Sequence, residues 1–72
     1  MPELPAVKPR AIIKALQKAG FVLIRTKGSH YQLRKANLLV TVPVHNRDLQ
    51  KSTLSSILRQ ARITVEELQS YL

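Results

Sequence analysis

Between Gly20 and Pro43 the apolar residues stop recurring with a helical period and begin to alternate, with only two or three residues between one run and the next. Residues 21–26 are a short apolar, β-branched run, residues 30–35 alternate polar and apolar, and residues 38–42 are rich in aliphatics. Three strands are therefore expected. Lys27, Gly28 and Ser29 supply the first turn, where glycine reaches the positive φ of a tight hairpin. Ala36 and Asn37 supply the second, although alanine suits such a position poorly. Connections this short join antiparallel neighbours, because parallel strands need a crossover of about a dozen residues or more. Pro43, which cannot donate to a ladder, is expected to stop the third strand.

Helical patterns flank the strands. Pro9 and Gly20 stand where a helix takes its first proline and its closing glycine. Between them Ile12, Ala15, Leu16 and Ala19 form one apolar stripe, with Arg10, Lys14, Gln17 and Lys18 largely elsewhere on the cylinder. Residues 44–48 read as a polar loop. Leu54, Ile57, Leu58 and Ala61 then return to helical spacing, and Ser52 is placed to cap that helix. Thr64 and Glu67 have the spacing of a capping box, opening a short last helix through Leu68 and Tyr71. Pro2 and Pro5 make the start an extended lead-in. The expected fold is α+β in the order α-β-β-β-α-α, a three-stranded antiparallel sheet with helices on one face and the other face open. All 72 residues are expected to form one domain.

A domain of this size buries only about 60% of the surface its unfolded chain exposes. Without cysteine, packing and hydrogen bonds have to hold it, and two histidines with four carboxylates make a structural metal an unattractive alternative. Twelve Lys and Arg against those four carboxylates leave a formal net charge of +8, the footprint of a protein that meets a polyanion. A membrane surface fits less well, since no basic amphipathic helix has a broad, bulky apolar face. No apolar run approaches the roughly 20 residues of a membrane span. The first five residues, MPELP, lack the basic and apolar regions of a secretory signal, so a cytoplasmic location is expected.

His30 follows Gly28 and Ser29 at the start of the second strand, on the polar face with Gln32 and Arg34. An imidazole can take and give a proton near neutral pH, which is what RNA transesterification requires. The 2′-hydroxyl must lose a proton to attack phosphorus, the leaving 5′-oxygen must gain one, and cations must meet the charge on the phosphoryl oxygens. By spacing alone His30 fits either that role or that of a polar strand residue beside a turn. His45 is equally open: a second acid/base or phosphate contact, or a solvated loop histidine. Ser29 reads as a turn serine rather than a nucleophile, because its side chain would point away from His30 and no carboxylate is placed to orient a base.

Among the cations, Lys8, Arg10, Lys14, Lys18, Arg25, Lys27, Arg47 and Lys51 are candidates for an RNA track. The sheet lacks the paired exposed aromatics with which RRM domains stack bases, so phosphate and 2′-hydroxyl contacts should dominate.

The ordered set Gly20-Phe21, Lys27-Gly28-Ser29-His30-Tyr31, Val42-Pro43-Val44-His45 and residues 53–61 (TLSSILRQA) resembles the HicA family of toxins over nearly the whole chain, from Lys8 to Leu68. The resemblance implies a fold like the double-stranded-RNA-binding domain and a metal-independent mRNA interferase, needing no cofactor, that arrests translation. It further implies neutralisation by a HicB antitoxin covering the His30 face, and a catalytic role for His30, the histidine after Gly-Ser. The RNA-binding set expected on this basis is Lys14, Lys18, Arg25, Lys27, Gly28, Ser29, Arg34 and Arg47, with His45 as the possible second acid/base. Two positions depart from the family pattern. Ala36 stands where glycine is usual between the second and third strands, and Arg62 follows Ala61 where the family reads Ala-Gly.

Two other readings compete. A non-catalytic RNA-binding module of the same fold would bind with the same salt sensitivity and cut nothing. A DNA-reading helix-turn-helix at the C-terminus is opposed by Glu66 and Glu67, which sit at the helix end that would meet phosphates.

Overall fold

A computed structural model of the chain describes residues 3–72; Met1 and Pro2, the start of the expected lead-in, lie outside the described residues. Helix α1 runs Pro9–Lys18, with the proline in its first turn. Ile12, Ala15 and Leu16 are buried as the stripe requires, and Ile13 is buried with them, so the apolar face is wider than the periodicity indicates.

The strands are β1 Val22–Lys27, β2 His30–Lys35 and β3 Leu38–Pro43, paired antiparallel in the order β1-β2-β3. Phe21, expected inside the first strand, sits ahead of it in the core. Each hairpin turn has two residues, Gly28-Ser29 and Ala36-Asn37. Gly28 and Ala36 take positive φ, 58° and 53°, at the first central position, where a type II′ turn places glycine. Pro43 does not end the pairing. It is itself the last residue of β3, opposite His30, and Val44 N–H still donates to Ser29 O at 2.6 Å. An edge strand tolerates the missing donor.

One irregularity governs the sheet. Leu23 pairs with Leu33 and Arg25 with Gln32, leaving Ile24 as the extra residue of a β-bulge. Unbroken alternation from Leu23 would send Arg25 and Lys27 toward the helices. The bulge reverses the phase, so Thr26 pairs with core-facing Tyr31, and Arg25 and Lys27 pair with outward-facing Gln32 and His30.

Helices α2, Lys51–Ala61, and α3, Val65–Tyr71, complete the order expected. Ser52 is not the cap of α2. The cap lies two residues earlier, at Gln50, whose side chain makes no capping bond. Leu49 N–H donates to Val7 O at 2.8 Å, and this tie to the lead-in fixes how the chain enters the helix. The capping box of α3 is present: Glu67 N–H donates to Thr64 Oγ1 at 3.1 Å and Thr64 N–H to Glu67 Oε1 at 3.3 Å. Ile12 and Leu16, Leu33, Val40 and Val42, and Leu54, Ile57 and Leu68 meet in one core between the helices and a single sheet face. The shortest dimension, 17 Å, is that of two layers.

α1 and α2 end by the same device with different residues. Phe21 N–H donates to Leu16 O at 2.9 Å and Gly20 N–H to Gln17 O at 3.0 Å; Ile63 N–H donates to Leu58 O at 3.0 Å and Arg62 N–H to Arg59 O at 3.3 Å. This closure needs one residue at positive φ, which is Gly20 at 104° after α1 and Arg62 at 57° after α2. A side chain there costs roughly 1–2 kcal/mol, partly offset by the freedom glycine loses on folding. Arg62→Gly and Ala36→Gly are each expected to stabilise the fold by roughly 0.5–1 kcal/mol, raising the melting temperature by a few degrees. Calorimetry of the single and double variants checks this. Unchanged or lowered melting temperatures would contradict it.

Candidate active site

The open sheet face is organised in cross-strand rows. Lys27, His30 and Pro43 form one row at the end of the sheet that carries the Gly28-Ser29 turn. Arg25, Gln32 and Thr41 form the next, and Val22, Arg34 and Leu39 the third. The phase that sends Leu33, Val40 and Val42 into the core therefore turns His30 to solvent. Directly opposite residues have Cβ atoms about 4.5–5.5 Å apart, which brings the Lys27 side chain within reach of a phosphate held at His30.

His45 comes closer to this row than its sequence position implies. The bond from Val44 to Ser29 extends the β2–β3 pairing past His30 and Pro43, and His45 is the next residue. Its Nδ1 accepts from Arg47 N–H at 3.2 Å. A neutral ring so held carries its proton on Nε2, presenting a donor. His45 and Arg47, with Asp48, Gln50 and Thr53, line a hollow of about 430 Å³.

The remaining sequence candidates are spread more widely. Gly28 and Ser29 form the turn beside His30. Arg34 lies two rows away, its Nε donating to Ala36 O at 3.0 Å. Lys14 and Lys18 are exposed on α1, in the helical layer across the sheet from His30, and Lys18 Nζ donates to Tyr71 O at 3.0 Å. Lys35 is engaged as well. Its Nζ donates to Ala19 O at 2.7 Å and lies 6.0 Å from the Phe21 ring centre, holding the end of α1. Gln32 and Thr41 share the His30 face; alternation in β2 already indicates Gln32, whereas Thr41 needs the register. Among the described residues no three His, Cys, Asp or Glu gather in one place, and no helix is long and apolar enough to cross a membrane.

Helices packed on one face of an open, three-stranded antiparallel meander define an α+β domain of the double-stranded-RNA-binding-domain type. The model of one family of that class, the HicA toxin of bacterial toxin–antitoxin systems, matches residues 9–63, and the chain belongs to this family. Comparison with curated proteins gives no match.

Proposed function

We propose that the chain is an mRNA interferase, an endoribonuclease that cuts messenger RNA in the cytoplasm without a metal ion and so arrests translation. The observation that carries this reading is His30, exposed on the open sheet face directly opposite Lys27. His30 exchanges protons with the RNA as general acid or base. The 2′-oxygen gives up its proton and bonds to phosphorus, the bond from phosphorus to the 5′-oxygen breaks, and that oxygen is protonated as it leaves. Lys27 and Arg25 meet the charge on the phosphoryl oxygens. His45, with Nε2 as donor, is the second acid/base or holds the phosphate.

Gly28, Ser29, Arg34 and Arg47 extend the RNA contact around this row. Lys14 and Lys18 contribute from a separate basic patch on α1. A HicB-type antitoxin neutralises the toxin by covering the His30 face.

RNA incubated with the purified chain in excess EDTA tests the reaction. Fragments with 2′,3′-cyclic phosphate or 3′-phosphate ends are expected. Cleavage that EDTA abolishes and magnesium restores would overturn the metal-independent mechanism.

A further inference from the structure

The row of the open face farthest from the chemistry has a different character. Val22 and Leu39 of that row are 62% and 49% exposed and Ile24 of the bulge is 51% exposed, and Ile24 and Leu39 line a hollow of about 380 Å³ with Arg25 and Arg34. Arg34 stands four residues along β2 from His30, about 13 Å at the rise of a strand. Three neighbouring aliphatic side chains this exposed are unfavourable in water and give nothing to RNA, since they neither pair with phosphate nor stack on bases.

We infer that this apolar end of the sheet is the anchor point of the neutralising protein, through a segment that places aliphatic or aromatic side chains on Ile24 and Leu39 and carboxylates on Arg25 and Arg34. The inference rests on the reading of the chain as a toxin restrained by a protein at its open face. Charge selects the occupant. Arg25, Lys27 and Arg34 leave the face cationic with no carboxylate among its cross-strand rows, so an acidic protein is attracted and a second copy of this +8 chain is repelled. The bulge at Ile24 spoils the β1 edge as a template for strand addition, which favours docking on the face over pairing at the edge. An anchor centred two rows from His30 lets the partner grip the toxin without touching His30 or Lys27, while it takes Arg25 and Arg34 from the RNA and its bulk covers the rest of the face.

The test uses the full chain and, as probe, the protein encoded beside it. Leu39→Glu and Ile24→Glu are expected to weaken binding of that protein at least a hundredfold while RNA cleavage stays within about threefold of the parent. Leu39→Thr, which places an uncharged β-branched residue suited to a strand, should weaken binding about tenfold and guards against misfolding of the charged variants; circular dichroism confirms each fold. His30→Ala should bind the probe as the parent does. Four results would overturn the inference: no binding of the probe by the parent; binding unchanged by all three apolar substitutions; loss of RNA affinity instead; or a parent dimer that Leu39→Glu makes monomeric. Because binding is measured separately from cleavage, a parent that binds the probe but cuts no RNA would refute the nuclease reading and leave the anchor standing.

Discussion

Replacing His30 with alanine is expected to slow RNA cleavage by roughly 10²–10⁴-fold, the usual loss when a general acid or base is removed. The side chain is exposed and belongs to no part of the core, so the fold should survive within about 0.5 kcal/mol. Single-turnover cleavage at saturating RNA, beside circular dichroism, separates the two effects. Binding should be nearly unchanged, because Lys27 and Arg25, the proposed phosphate contacts, remain on the same face. His45→Ala is expected to do less, and an equal loss would make the two histidines a working pair. A folded His30→Ala variant that cuts at the parental rate would leave a basic RNA-binding module as the better reading.

In cells, expression of the chain alone should stop growth, and expression of His30→Ala should not. The proposed antitoxin should restore growth by covering the open sheet face. The expected contrast is large because an interferase acts catalytically, each molecule destroying many messages, whereas a binding module must be present in proportion to its target. Growth curves after induction, with and without the neighbouring reading frame, read this directly. Arrest that persists undiminished with His30→Ala would point to harm by binding or aggregation.

The parts of the fold that were legible in the sequence are those set by local rules. The stripe of α1 between Pro9 and Gly20, the alternation of β2 and the reciprocal cap of Thr64 and Glu67 depend on near neighbours and stand as expected. Ser52 misleads because the start of α2 is set by a contact far along the chain, between Leu49 and Val7. Ile13 lies outside the simple stripe yet is buried because the core surrounds more of α1 than one row of side chains. The strain at Ala36 and Arg62 was visible as two missing glycines, and both take positive φ.

For the candidate site the balance differs. The place of His30 beside a hairpin and on the polar side of its strand is local information; its proposed role rests on family resemblance. That Arg25 and Lys27 share its face depends on a bulge that alternation cannot reveal, since a run such as FVLIRTK is compatible with either phase. The approach of His45 depends on one hydrogen bond between residues in different strands' extensions. The separation of Lys14 and Lys18 from His30 follows from which sheet face the helices cover.

The extra residue in β1 also gives this strand a tolerance of length that a regular strand lacks. Deleting Ile24 would leave Leu23 opposite Leu33 and Arg25 opposite Gln32 as successive pairs of a regular ladder, so Arg25 and Lys27 would keep their face and only the bulge with its exposed aliphatic side chain would go. A one-residue gap at Ile24, in any comparison of related chains, therefore marks the loss of the bulge and leaves the same residues beside His30.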